Sequence, residues 1–401
     1  MSKTGFGYGK IFLLGFGFFG ISLVWSVYNS FVPIFLKEFG LASAIVGFIM
    51  TFDNIFAVTV QPYIGFLSDK TRTRLGRRRP YILASAPLAA IALAFVPTAP
   101  SLAVMIAFIL VFNAAMAVHR TPTIALMPDI TPSEYLSKAN GIINFMGGVG
   151  ALLAFFVGSM LYNLNKDLPF MFAAALLLAS SLLIVAVIKE PEAPHTAKES
   201  EGALKDLVKS LVEAFRDEDP SLKGILLAIF AWFFAYGAVE AFFTSYGKWH
   251  LGIGESRAAL ILGFFALTFI LASIPSGFIA SKIGRKKAIN VGLLGLIALL
   301  AVPLVTDNVT IITATMLLGG VFWALVNVNS LPIVVDLAPK GKIGGHTGLY
   351  YLFEMTAFIV SPPIAGFFID IAGYKTLFAL AVVWFAMALV FMRLVKKERR
   401  E

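Results

Sequence analysis

Cysteine is absent from this chain of 401 residues, and charged residues are scarce, at 14% of the total. Without cysteine the chain can form neither a disulfide framework nor a thiolate metal site. The four histidines are scattered, so the sequence offers no metal-binding cluster. A Gly-x-x-x-x-Gly-Lys-Ser/Thr phosphate loop and a His-Glu-x-x-His zinc motif are also missing. We therefore expect no enzymatic activity, no cofactor and no bound metal.

Apolar residues take the place of charge. They make up 59% of the chain, and its mean hydropathy is +0.86; a soluble domain is about 45–50% apolar and about 25% charged. The apolar runs, such as Ala173–Ile188 and Ala379–Phe391, are continuous, whereas barrel strands would alternate between apolar and polar residues. The composition predicts an all-α integral membrane protein surrounded by a lipid bilayer.

A helix needs about 20 mostly apolar residues to cross a bilayer. On this criterion the sequence predicts twelve transmembrane helices. They are Ile11–Leu36, Ile45–Ser68, Tyr81–Val96, Leu102–Met127, Ala139–Tyr162, Pro169–Ile188, Lys223–Tyr246, Ala258–Ala280, Ala288–Val305, Thr310–Val335, Gly344–Ile369 and Thr376–Met392. The first run is too long for the apolar core of a signal peptide, so we interpret it as a spanning helix.

The distribution of positive charge predicts the orientation in the membrane. The stretch Gly65–Arg79 carries six cations and one anion between two apolar runs. Connections of the opposite set hold only five cations: Lys37, Lys166, Lys248, Arg257 and Lys375. The positive-inside rule places the basic stretch and both termini in the cytoplasm, and we expect a multi-pass protein of the cell membrane. Nucleic-acid binding explains the net charge of +9 less well, because the cations flank apolar runs instead of lining one face.

One connection divides the chain. Residues 189–222 begin with a segment rich in proline and glutamate and continue as Ala203–Phe215, where apolar residues recur at helical spacing. We predict a cytoplasmic linker with an amphipathic helix, between one six-helix bundle at 1–188 and another at 223–401.

An internal repeat relates the two halves. Four sequence features recur at an offset of 207 or 208 residues, which is typical of transporters built from two pseudo-symmetric bundles with a central site. The pairs are Asp129 and Asp336, Pro132 and Pro339, Gly141 and Gly348, and Gly76-Arg77 and Gly284-Arg285.

These features resemble the major facilitator superfamily over essentially the whole chain. The family motif after the second span, Gly-x-Leu-x-Asp followed by Gly-Arg-Arg/Lys, is matched by Gly65, Leu67, Asp69, Gly76, Arg77 and Arg78. An insertion at Thr71–Leu75 is similar to the sucrose-transporter-like branch and the related glycoside–pentoside–hexuronide symporters. The resemblance implies the major facilitator fold and a mono- or disaccharide moved with a cation by alternating access. We expect a monomer.

The identity of the cation follows from a departure from that branch. The sodium-using symporters carry two aspartates shortly before the proline of the second span. Here Gln61 directly precedes Pro62, and Ala57 occupies the other position. This difference favours protons over sodium.

Ionisable side chains inside spans are candidates for proton coupling, because each costs at least about 2.5–3.5 kcal/mol to insert. Four such residues lie deep in the predicted spans: Asp53, Arg120, Glu240 and Glu354. Asp53 is the first choice as proton carrier, with Arg120 modulating its charge, and the two glutamates are rivals for that role. The alternative for each is an internal ion pair that only holds helices together.

Amide and aromatic side chains at mid-span depth are candidates for sugar binding, because sugars need hydrogen-bonding groups and flat apolar faces. Asn327 and Asn329 cannot share one helix face, so at most one is well aimed. An individual aromatic side chain within a span more often packs between helices than contacts a ligand. The candidates are Trp25, Tyr28, Asn29, Asn54, Asn113, Asn144, Tyr236, Trp323, Asn327, Asn329, Tyr350 and Tyr351.

The resemblance also implies a gate at the cytoplasmic ends of the spans. It suggests Asp69 against the start of the eleventh span, Arg77 near Asp129, and Arg285 near Asp336. The alternative is that these charges only set the orientation in the membrane.

Three functions remain open on the sequence alone. The first is a proton-coupled sugar symporter, and the second is a proton-coupled exporter of drugs or metabolites with the same fold. The third is a receptor or scaffold without transport, which the charges within the spans disfavour.

Overall fold

The computed structural model describes residues 8–132, 135–190, 219–338 and 343–396. Its regular secondary structure within these ranges is entirely helical. The helices are α1 (Tyr8–Glu38), α2 (Ser43–Met50), α3 (Phe52–Lys70), α4 (Arg79–Phe95), α5 (Leu102–Ile130), α6 (Leu136–Leu164), α7 (Leu168–Val187), α8 (Ser221–Trp249), α9 (Glu255–Ile283), α10 (Arg285–Val305), α11 (Val309–Asp336), α12 (Ile343–Ala372) and α13 (Thr376–Leu394).

Eleven helical stretches in the described ranges are long and apolar enough to cross a membrane. Ser43–Lys70, which contains α2 and α3, counts as one of them, and the apolar helix α4 is shorter, at 17 residues. Each predicted span therefore corresponds to a described helix or, for the second span, to a pair of helices. The prediction of an all-α, multi-pass membrane protein is confirmed.

Local sequence explains where several helices begin. The Asn308 side chain accepts hydrogen bonds from the backbone N–H of Thr310 and Ile311, at 3.0 and 3.2 Å, and so caps α11. Gly284 separates α9 from α10 with a φ of +92°, a conformation that side chains with a Cβ rarely adopt.

The second span differs from the continuous helix that we predicted. It breaks at Thr51, whose Oγ1 donates a hydrogen bond of 2.7 Å to the carbonyl oxygen of Phe48. The break places Asp53 in the first turn of α3. The positive end of a helix dipole stabilises a carboxylate there, so this position suits an acid.

The described residues fall into two compact units. Unit 1 lies within Met1–Phe39 and Phe52–Lys198. In it, α1 packs against α6 and α7, α4 packs against α5 and α7, and α3 packs against α5. The α1–α6 contact is close, because a Cβ on Gly150 would lie 2.2 Å from the carbonyl oxygen of Phe19. Small residues permit such packing of membrane helices.

Unit 2 lies within Gly40–Thr51 and Glu199–Glu401. In it, α8 packs against α12 and α13, and α11 packs against α9 and α10. The short helix α2 also belongs to this unit, where it packs along α12. The predicted amphipathic helix at Ala203–Phe215 lies outside the described residues, and the division at 1–188, 189–222 and 223–401 stays a prediction.

Candidate functional site

The acid predicted to carry the proton lies beside the predicted arginine in unit 1. Asp53 on α3 accepts two hydrogen bonds of 2.6 Å from Asn54, one from its backbone N–H and one from its side-chain Nδ2. Arg120 on α5 is near enough for its charge to act on the Asp53 carboxyl, and both side chains are half-buried. The half-buried carboxyl group of Asp53 thus lies within electrostatic range of a cation on a neighbouring helix of unit 1.

Two of the predicted sugar-binding residues of unit 1 bond to each other. The Nδ2 of Asn113 donates hydrogen bonds to the hydroxyl of Tyr28 at 3.1 Å and to the carbonyl oxygen of Ile109 at 2.8 Å. Both side chains are buried, and the ring of Tyr28 stacks on that of Phe112. Trp25 meets the same pair of rings edge-on. These contacts hold α1 to α5, so they give Tyr28 and Asn113 a packing role in this arrangement.

The other predicted amides and the first tryptophan differ in exposure. Trp25, Asn29 and Asn54 are half-buried, whereas Asn144 is exposed on the surface of unit 1. A sugar-binding role for these four residues stays a prediction.

In unit 2 the predicted aromatic residues form one cluster. Tyr236 on α8 stacks face to face on Trp323 of α11, with ring centroids 4.6 Å apart and planes at 5°. Phe233 meets the rings of Trp323 and Tyr350 edge-on. Since one face of Trp323 is already covered by Tyr236 and the side chain is 3% exposed, a sugar could reach that ring only after a rearrangement.

The two predicted glutamates lie beside this cluster. Glu240 follows Tyr236 by one turn of α8, and Glu354 follows Tyr350 by one turn of α12. Each glutamate acts electrostatically on its tyrosine, and both glutamates are half-buried. Unit 2 therefore combines two acids with an aromatic group on adjacent helices.

The amides Asn327 and Asn329 lie on different faces of α11, as their spacing predicts. The Nδ2 of Asn329 donates hydrogen bonds to Ser276 on α9 and to the carbonyl oxygen of Leu325, at 3.1 and 2.9 Å. Asn327 is half-buried on another face of the helix, and Tyr351 is exposed. Asn329 thus serves the contact between α11 and α9.

The predicted gating residues of unit 1 meet at the end that carries the loop 71–78, which we call the basic end. Arg77 donates to Asp129 at 2.5 Å, and the Nε of Arg78 donates to the second oxygen of the same carboxylate at 3.1 Å. Arg78 also contacts Asp69 and donates to the hydroxyl of Ser68 at 2.5 Å. One arginine that is only 6% exposed therefore ties the ends of α3 and α5 to the loop.

The equivalent pair in unit 2 is more exposed. Arg285 pairs with Asp336, and their side chains are 36% and 47% exposed, compared with 20% and 13% for Arg77 and Asp129. The structure thus brings both predicted Arg–Asp pairs together. A gating role, and the contact of Asp69 with the start of the eleventh span, stay predictions.

Sequence analysis missed Glu190, which follows α7. Its carboxylate accepts hydrogen bonds from the backbone N–H groups of Arg77, Arg78 and Arg79, at 2.8 to 3.1 Å. These N–H groups begin α4, where the helix leaves them without partners of its own. The only sequence signal was an acid directly after a span that ends near the basic loop.

Asp370, near the end of α12, was also missed. Its two carboxylate oxygens accept the backbone N–H groups of Ser43 and Ala44 at 2.8 and 2.9 Å, and so cap α2. The two helices touch backbone to backbone, because a Cβ on Gly366 would lie 2.2 Å from the Ser43 carbonyl oxygen and one on Gly47 would lie 2.2 Å from that of Pro362.

Helices of membrane-spanning length define a multi-pass membrane protein, and acids and an arginine lie half-buried within these helices. The chain belongs to the Major Facilitator Superfamily, whose family model matches residues 14–254 and 248–401. It is a transporter and not an enzyme, and it takes a small-molecule substrate. The expected resemblance to this superfamily is confirmed.

Three curated relatives show the range of the family around this chain. An uncharacterized symporter, YnaJ of Bacillus subtilis, is 26% identical over 89% of this chain and 82% of its own length. The class E tetracycline resistance protein of Escherichia coli is 27% identical over 69% of this chain and 66% of its own. The sucrose transport protein SUT4 of rice (Oryza sativa) is 27% identical over 42% of this chain and 32% of its own.

The fold has solved counterparts. A bacterial homolog of the human lysosomal transporter Spinster matches with a TM-score of 0.77 over 97% of this chain and 96% of that chain, at 14% sequence identity. At that identity the likeness establishes the fold alone.

Proposed function

We propose that this transporter moves a mono- or disaccharide together with a proton by alternating access. The observation that carries the proposal is the carboxyl group of Asp53 beside Arg120 within unit 1. A carboxyl group that is protonated when its arginine is distant, and ionised when the arginine is near, couples proton binding to a change of conformation. Glu240 and Glu354 of unit 2 are the alternative proton carriers.

One relative supports symport, and another supports a sugar as the substrate. One is a symporter over most of the chain, and another, over a shorter stretch, is a sucrose transport protein. The half-buried amides Asn29, Asn54 and Asn327 are the residues we propose for binding hydroxyl groups, because an amide inside a span requires a hydrogen-bonding partner. In this proposal the protein is a monomer in the cell membrane, with both termini in the cytoplasm.

An exporter of drugs or metabolites is the second candidate. A specific observation favours it: the tetracycline resistance protein aligns over more of this chain than the sucrose transport protein does.

Uptake into vesicles separates the two candidates. The purified protein is reconstituted in liposomes, and labelled sucrose, maltose and glucose are supplied with a pH gradient, with a sodium gradient, or with neither. We expect one sugar to accumulate only when the source side is acidic, and a protonophore to abolish the accumulation. Failure of all three sugars, together with proton-driven extrusion of tetracycline, would establish the exporter instead.

A further inference from the structure

A cavity of about 250 Å³ opens at the basic end of unit 1. It lies where α1 begins and where α5 and α7 end. The lining residues are Lys10, Asp129, Ile130, Ile188, Lys189 and Glu190.

The carboxylates in this wall are already engaged. Asp129 accepts hydrogen bonds from the side chains of Arg77 and Arg78, and Glu190 accepts them from the backbone N–H groups that begin α4. A metal ion or an ammonium group entering the cavity would therefore compete with an established set of donors.

The two ammonium groups in the wall are in the opposite situation. In the part of the chain that the structure describes, Lys10 and Lys189 make no hydrogen bond and no ion pair, and both side chains are exposed. Lys10 lies in the first turn of α1, whereas Lys189 follows the end of α7, and the two flank one opening. An anion with several oxygens would satisfy both at once, and a charge-assisted bond from each would hold it.

We infer that this cavity binds a phosphate-bearing anion through Lys10 and Lys189. Its position favours the headgroup of an anionic phospholipid, because Ile130 and Ile188 end the apolar parts of two spans just where the charges begin. Basic pockets between membrane helices on the cytoplasmic side recognise such headgroups, and the basic loop predicts that this end faces the cytoplasm. A free phosphate offers the same oxygens and is the other source of the ligand.

Thermal unfolding of the full chain in a neutral detergent tests the inference. Dihexanoyl phosphatidylglycerol, dihexanoyl phosphatidylcholine and inorganic phosphate are titrated separately, with sodium chloride keeping the ionic strength constant. The test variant is Lys10→Gln/Lys189→Gln. The matched control is Arg74→Gln/Lys287→Gln. It removes one exposed cation from the loop 71–78 and one from the first turn of α10, and so has the same net charge as the test variant.

We expect phosphatidylglycerol to raise the unfolding temperature of the unaltered chain and of the control, while phosphatidylcholine does not. In the test variant the apparent affinity should fall at least about tenfold, since each lysine supplies a charge-assisted bond. A rise with inorganic phosphate that also depends on the two lysines would support the site and identify free phosphate as a ligand. Equal loss in both double variants, or no rise in the unaltered chain, would overturn the inference.

Discussion

Glu190 accepts the backbone N–H of Arg78 with both carboxylate oxygens, at 2.9 and 3.1 Å. The same carboxylate accepts hydrogen bonds from the backbone N–H groups of Arg77 and Arg79. One acid that follows α7 therefore caps the start of α4. Gly76, directly before them, has a φ of +106°, and a Cβ there would lie 2.6 Å from the Glu190 carboxyl. The side chain of Glu190 therefore joins the segment after α7 to the backbone that follows the loop 71–78.

We predict that Glu190→Ala destabilises the protein by about 1–3 kcal/mol, because it leaves several helix N–H groups without an acceptor. Thermal unfolding in detergent measures the effect. The control is Glu38→Gln, which removes an exposed ion pair with Lys166 at 3.3 Å and should cost about 1 kcal/mol or less. Equal destabilisation by the two variants would mean that the cap contributes nothing.

The two Arg–Asp pairs of the internal repeat should differ in strength. Asp129→Asn removes a negative charge that neutralises the buried guanidinium of Arg78. We expect the free energy of unfolding to fall by about 3 kcal/mol, the lower part of the range for a broken buried pair. Asp336→Asn breaks an exposed ion pair and should lower the free energy of unfolding by about 1 kcal/mol or less. Unfolding temperatures of the two variants make the comparison, and equal shifts would contradict it.

Much of the fold could be predicted from sequence because the membrane demands long apolar helices. The predicted ends erred mainly by stopping early: α5 runs to Ile130, beyond the predicted Met127, and α13 runs to Leu394, beyond Met392. Helices continue past the apolar core into the polar boundary, where hydropathy no longer marks them. The break at Thr51 could not be predicted, because threonine is ordinary within a membrane helix and only its hydrogen bond to Phe48 reveals the turn.

The candidate site was predictable where a residue is costly in lipid, as with Asp53 and Arg120. It was not predictable where an acidic side chain accepts hydrogen bonds from the backbone N–H groups at the start of another helix. Glu190 and Asp370 bond to N–H groups that are far away in sequence, at separations of 111 to 113 and 326 to 327 residues. Nothing in the local pattern identifies which helix end such an acid will cap.

Gly366 should control the contact between α2 and α12. Gly366→Ala puts a Cβ 2.2 Å from the Ser43 carbonyl oxygen, so α2 must move. The chain has no cysteine, so a single cysteine at Val46, which is 1% exposed on α2, reports the movement through its rate of maleimide labelling. We expect faster labelling with Gly366→Ala. Gly344→Ala on the same helix, where a Cβ meets nothing within 4 Å, should leave the rate unchanged, and equal rates for the two variants would refute the prediction.

Asp307, in the loop before α11, predicts a pH dependence. Hydrogen bonds from Lys375 and His250, both at 3.1 Å, lower the pKa of its carboxyl below the usual value. A lowered native pKa stabilises the fold at pH values above the unfolded pKa of about 3.9, and the effect is lost as the pH falls through the native pKa. The unfolding temperature of Asp307→Asn should therefore lie below that of the unaltered chain at pH 6, and the gap should close toward pH 3. A difference in unfolding temperature that does not change with pH would contradict the proposed role of Asp307. So would a difference for Asp167→Asn that closes over the same pH range.

Asp53→Asn tests the proposed coupling most directly. The amide keeps the size of the side chain and its neighbour Arg120, but it cannot take up a proton at physiological pH. We expect the variant to lose accumulation driven by a pH gradient and to keep sugar binding, measured as a ligand-induced rise in unfolding temperature. Glu240→Gln and Glu354→Gln are assayed beside it. If Asp53→Asn still accumulates sugar while one of the glutamate variants does not, the proton carrier is that glutamate in unit 2, because only the group that binds and releases the proton is indispensable for coupling.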